Sequence, residues 1–111
     1  MGSDPPIYST LRNRPAFAAL VRDFAAALPG LAADLAQALG AEDLGTTRTL
    51  AHRLKGSAAG YGFPEIARVA SEIEASAAAG KHASAAYGVA ALGALCERAR
   101  AGAATPEEAS A

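Results

Sequence analysis

Between residues 17 and 39 the chain sets Phe17, Leu20, Val21, Phe24, Leu28, Leu31, Leu35 and Leu39 at steps of three and four. Such steps put the side chains along one side of an α-helix, because a turn takes 3.6 residues, whereas a strand would need strict alternation. The stripe keeps its phase across Pro29-Gly30. It therefore predicts one long helix, about 15–39, kinked where Pro29 removes a backbone hydrogen bond, in preference to two helices and a loop. Pro15 suits the first helical position and Gly40 the stop. A helix of this kind must bury its apolar side against other elements.

Three further helices are expected to supply them. Glu42 and Asp43 offer a cap and two negative charges to a second helix, about 43–59, which Gly60 and Gly62 end. Pro64 and Glu65 fit the first turn of a third, about 64–79, with Ile66, Val69, Ala70, Ile73 and Ala77 inward and Gly80 closing it. A fourth, about 83–101, carries Tyr87, Val89, Leu92, Leu95 and Cys96, while Gly88 and Gly93 weaken it and imply close helix contact. Short connections make neighbours antiparallel. The expected fold is all-α, an antiparallel up-down four-helix bundle over residues 14–101. Residues 1–13 form a short N-terminal extension, with Met1–Pro6 extended or disordered and Ile7, Tyr8 and Leu11 placed to fold back onto the bundle. Residues 102–111 read as a flexible polar tail.

The 111 residues, 51% apolar, suffice for one core and not for two domains. Aromatics are 5% and tryptophan is absent, so alanine and leucine dominate, which suits helices packed at short distance. A net charge of −1 with no long basic run argues against nucleic acid or an anionic membrane as partner. No apolar run approaches the ~20 residues that span a bilayer, and no hydrophobic signal core follows the polar start. Cys96 has no second cysteine to pair with. A reducing cytoplasm is the expected compartment.

The chemistry concentrates in His52-Arg53-Leu54-Lys55-Gly56-Ser57-Ala58-Ala59-Gly60-Tyr61-Gly62. At ~100° per residue, positions 52, 55, 56 and 59 share one side of the helix, and Leu50, Leu54, Ala58 and Tyr61 point to another. With the leucines inward, His52 and Lys55 look outward beside Gly56 and Ala59, a strip with nothing tall enough to block an approaching protein. Glycine inside a helix costs ~1 kcal/mol relative to alanine, so Gly56 in an alanine-rich chain points to close approach of a partner.

These residues resemble the histidine-containing phosphotransfer domain family, whose signature runs His-x-Leu/Ile-Lys-Gly-Ser/Ala and on through small residues to a glycine. His52, Leu54, Lys55, Gly56, Ser57 and Gly62 meet it. The resemblance implies that His52 is a phosphoacceptor whose Nε2 attacks the aspartyl phosphate of a receiver domain, and that phosphate can return to another receiver. It implies that Lys55 offsets charge on the transferring oxygens, and that Gly56, Ser57, Ala59, Arg48 and Arg53 belong to the docking surface. Partners would be response-regulator receivers and a sensor or hybrid histidine kinase. No cofactor is expected on this chain, Mg²⁺ belonging to the receiver. In related phosphoacceptor domains of chemotaxis kinases an acid or amide twenty-two residues past the histidine lies beside the imidazole. That position is Glu74, where a carboxylate would accept from Nδ1 and leave Nε2 free. A phosphoacceptor domain served directly by a kinase domain, or a helical adaptor that is never phosphorylated, are the competing readings.

Other candidates carry less. His82 follows Gly80-Lys81 at a loop-to-helix junction, with no Lys-Gly pair behind it, and reads as a surface or capping histidine. His52, His82 and Cys96 lie on scattered helices without metal-ligand spacing. Ser57 lacks a nucleophile elbow, and Gly60-Tyr61-Gly62 has neither the preceding strand nor the Gly-Lys of a phosphate loop. No ATP-binding motif is found, so autonomous kinase activity is not expected.

Overall fold

The computed structural model describes residues 4–103. A 3-10 turn, Pro15–Phe17, leads into helix α1, Ala18–Gly40, followed by α2, Leu44–Gly60, α3, Pro64–Ala78, and α4, His82–Ala103. Helix α4 runs past the expected end at 101 to Ala103, and the rest of the expected tail, residues 104–111, lies outside the described residues, as do residues 1–3 of the expected N-terminal lead. The helices form an antiparallel up-down bundle in which α2 packs most closely on α3 and α1 on α4, with α3 against α4 and α1 against α2 closing the ring.

Helix α1 passes through Pro29 as a single α-helix, as the unbroken stripe requires. Its inward side differs from the expected one. Val21, Ala25, Leu28, Ala32, Leu35 and Leu39 are buried, whereas Phe17, Leu20 and Leu31 are exposed and Phe24 is half-buried. The sequence holds two adjacent apolar stripes about a quarter turn apart, and only one can face the core. Alanines complete the chosen one, so the neighbouring helices come close.

Helix α2 starts at Asp43, which caps it by accepting hydrogen bonds from Thr46 N (3.0 Å) and Thr46 Oγ1 (2.7 Å). Those bonds hold the Asp43 carboxyl below its usual 3.8. Glu42 is no cap; it takes a positive φ of 58° in the turn between α1 and α2. Thr47, Ala51, Leu54 and Ala58 face the core, with Leu50 and Tyr61 half-buried beside them. All five expected core residues of α3, Ile66, Val69, Ala70, Ile73 and Ala77, are buried. In α4 Val89, Leu92 and Cys96 are buried, but Tyr87 is 81% exposed. Gly88 meets α3 closely, since a Cβ there would lie 2.7 Å from Ile73 Cγ1, whereas one on Gly93 would touch nothing within 4 Å. Burial pushes the Cys96 thiol up to about 12, which leaves it un-ionised at neutral pH.

Taken with its leading turn, Pro15–Gly40 is long and apolar enough to cross a bilayer by length and composition, at a mean hydropathy of 1.4. This corrects the expectation that no such run exists, because alanine, ten of the 26 residues, fills the steps between the large apolar ones. Here it is one wall of the bundle.

Ahead of α1, Ile7 and Leu11 pack against the core and Ser9 is buried. The fold-back of Ile7, Tyr8 and Leu11 is thus a strap laid over the end of the bundle. Its backbone is bonded to α4 and to the turn after α2.

Candidate functional site

The residues singled out in the sequence meet on the α2–α3 side of the bundle. On α2, the turn-and-a-half from Leu54 to Ala58 anchors the inner side, which leaves His52, Gly56 and Ala59 exposed and Lys55 half-buried. On α3, Ile73 is fully buried, and the next residue, Glu74, therefore comes out at the seam with α2. Its carboxylate is shared. Glu74 Oε2 lies 2.9 Å from His52 Nδ1, and Oε1 lies 2.7 Å from Lys55 Nζ. The hydrogen bond from Lys55, opposed by partial desolvation and reinforced by the one from His52, holds Glu74 below its usual 4.5. Glu74 is accordingly ionised at neutral pH.

An ionised carboxylate can only accept, so Nδ1 must carry the proton in that bond. Neutral imidazole then has its lone pair on Nε2. Among the described residues no protein group bonds Nε2, and the side chain is 65% exposed. Such an arrangement can serve as a nucleophile, with its tautomer set from behind and its other nitrogen on a largely exposed side chain. Lys55 does not point freely outward, as the helical phase alone implied. It is held against Glu74 one turn from His52, so the cation is already positioned beside the imidazole.

A Cβ built on Gly56 would meet nothing within 4 Å. Internal helix packing therefore does not call for glycine there, and the bare strip Gly56, Ala59 and Gly60 lies open. Ser57 is exposed. Arg48 and Arg53 are exposed too and make no ion pair among the described residues, so α2 presents Arg48, Arg53 and Lys55 with no acid of its own. The α3 flank differs: Arg68 is engaged by Glu65 and Glu72 at 2.5 and 2.6 Å.

Sequence reasoning missed the other flank. Phe24 of α1 stacks on Tyr61 at 4.5 Å between ring centroids, with an interplanar angle of 18°. That contact identifies the α2 side of α1, and the exposed Leu20 and Leu31 share the helical side of Phe24. Their membership in the expected core stripe hid them. His82 sits elsewhere, its Nε2 3.1 Å from Leu39 O in the last turn of α1. Among the described residues no three metal-ligating side chains are grouped.

A search of curated proteins and one of solved structures returned no match. A family model does match: that of the Hpt domain, over residues 19–102. This span takes in all of the bundle except the first residue of α1 and the last of α4, with the His52 helix inside it. The chain therefore belongs to the Hpt domain family, and its role is histidine phosphotransfer in two-component signalling.

Proposed function

We propose that this domain relays a phosphoryl group between receiver-domain aspartates through phospho-His52. Nε2 donates its lone pair to phosphorus as the bond from phosphorus to the aspartyl oxygen breaks, and the aspartate departs as a carboxylate. The Nδ1 proton stays in place, so the ring becomes positively charged while bonded to phosphorus, and Glu74 stabilises that charge. Lys55 sits close enough to exchange one Glu74 oxygen for a phosphoryl oxygen as charge moves onto the transferring group. In this reading Mg²⁺ arrives with the receiver, the domain works in the cytoplasm, and a sensor or hybrid histidine kinase stands upstream. The observation that carries the reading is the shared Glu74 carboxylate behind an imidazole whose Nε2 is open.

The receiver's footprint follows from size. A specific interface covers roughly 800 Å² per partner, a patch about 28 Å on a side and so roughly three times the ~10 Å width of one helix. Gly56, Ser57 and Ala59, framed by Arg48 and Arg53, form its centre, and the apolar portion falls on α1 at Leu20, Phe24 and Leu31 rather than on the charged α3 flank. Transfer from receiver domains phosphorylated with acetyl phosphate tests the proposal. The wild type should acquire acid-labile, alkali-stable phosphate, and His52→Gln should acquire none. Label on His52→Gln, or labelling of the wild type only by an ATP-bound kinase domain and by no receiver, would overturn it.

A further inference from the structure

The strap is bonded on both edges. Ile7 N donates to Arg98 O at 3.0 Å, and Arg98 Nε donates to Pro5 O at 2.8 Å, which ties it to the end of α4. On its other edge Thr10 N donates to Gly62 O at 2.9 Å and Ser9 Oγ donates to Tyr61 O at 2.7 Å. The same Ser9 hydroxyl accepts from Leu11 N at 2.9 Å, so it is fully used although buried. Carbonyls of the turn that ends α2 thereby find partners that the bundle alone does not supply.

Two glycines shape the seat. At Gly62, where φ is +85°, a Cβ would lie 2.5 Å from Ser9 Oγ. Gly102 is the more telling, because it lies inside a helix among Ala99, Ala101 and Ala103, where alanine is the better helix former. A Cβ there would run into the Ile7 carbonyl oxygen. The strap lies outside residues 19–102, the part shared with the family, while both glycines of its seat lie within that part. A half-open cleft of about 220 Å³ is lined by Ile7, Tyr8 and Ser9 of the strap together with Val21, Phe63 and Ala99 of the bundle, surface that a lifted strap would give to water.

Tyr61 links this seat to the docking face. Ser9 holds its carbonyl, and its ring stacks on Phe24 at the edge of the apolar flank. We propose that residues 5–11 are a positioning strap, which clamps the turn after α2 to the end of α4 and so fixes the Phe24–Tyr61 corner where a receiver docks. The proposal rests on the docking reading above.

The test uses the full chain. Gly102→Ala should lift the strap, cutting amide-exchange protection at Ile7 and Thr10 at least tenfold and slowing transfer from an acetyl-phosphate-charged receiver severalfold. Labelling of His52 by phosphoramidate, which needs no docking face, should not change. Gly93→Ala adds the same methyl to the same helix in open space and should leave all three readings as in the wild type. Ser9→Ala, which adds no bulk, should shift the Phe24 and Tyr61 ring resonances and slow receiver transfer in the same direction. The strap is refuted if Ile7 and Thr10 are unprotected in the wild type, or if Gly102→Ala keeps their protection and raises the melting temperature. Lifted straps with undiminished receiver transfer refute the positioning role. Failure of phosphoramidate to label the wild type strikes the phosphoacceptor reading instead, and the exchange data separate the two.

Discussion

The two histidines of this domain each use one ring nitrogen to reach a neighbouring helix, yet they are chemically unlike. His52, in mid-helix on α2, meets a carboxylate on α3, and its opposite nitrogen is left to solvent beside a lysine. His82, at the first residue of α4, meets the backbone carbonyl of Leu39 near the C-terminus of α1. A charged acceptor sets the tautomer firmly and answers any positive charge the ring gains. A lone carbonyl ties two helix ends together. The difference lies in what stands behind each ring, and neighbouring small residues then decide which one a protein can reach.

The largest expected break in that contrast comes from closing access to His52. Gly56→Leu should cut transfer from a charged receiver by roughly a hundredfold or more, the scale of misplacing reacting groups. Helicity should be unchanged or higher, because the position is open and glycine is a poor helix former. Phosphoramidate should still label the variant, and equal relay rates from a receiver would end the open-strip argument. Removing the cation comes next: Lys55→Ala should slow transfer roughly tenfold, below the cost of losing a buried charge-stabilising donor. Unfolding should move by no more than about 1 kcal/mol, the scale of a partly exposed ion pair.

Glu74→Ala should leave a folded domain whose neutral His52 shifts toward the Nε2–H tautomer, read from its ¹⁵N shifts near pH 8. An unchanged spectrum would show that the carboxylate does not set the ring. Stability offers a second reading. Because the Glu74 carboxyl is lowered in the folded protein, its pairing stabilises the fold fully above the unfolded value near 4.5. That contribution fades as pH falls through the lower folded value. Glu74→Gln should therefore lose less stability than the wild type as pH falls below about 4.5, read by thermal unfolding in acid. The smallest effect belongs to His82→Ala, which removes one hydrogen bond worth ~1 kcal/mol or less. A few degrees in melting temperature and no change in transfer are expected.

How far the sequence could be read follows from the same physics. Helix α3 was fully legible, because a single stripe of large residues runs through it and only one side can be buried. In α1 two stripes lie side by side, and burial of Ala25 and Ala32 in place of Leu20 and Leu31 depends on where α2 and α4 sit. Tyr87 failed in the same way on α4. The pairing of His52 with Lys55 was legible from helical spacing, whereas Glu74 was named only by the resemblance, which puts an acid or amide twenty-two residues past the histidine; the short turn between α2 and α3 holds that position in register. That one carboxylate serves both partners was not legible, because it depends on the carboxylate's rotation. Gly102 is the extreme case: its reason is the backbone of residue 7, nearly the whole chain away.

Glu74 also bears on what happens after phosphorus reaches the ring. With Nδ1 still protonated, the phosphorylated side chain is an imidazolium, and breaking its bond to phosphorus releases a neutral imidazole rather than an anion. A neutral leaving group departs readily. In the proposed relay the carboxylate that readies His52 as a nucleophile would thus also keep the product from becoming a trap, one hydrogen bond of 2.9 Å serving the outward and the return step alike. Net direction would then lie with the partners, in how much charged and uncharged receiver each brings.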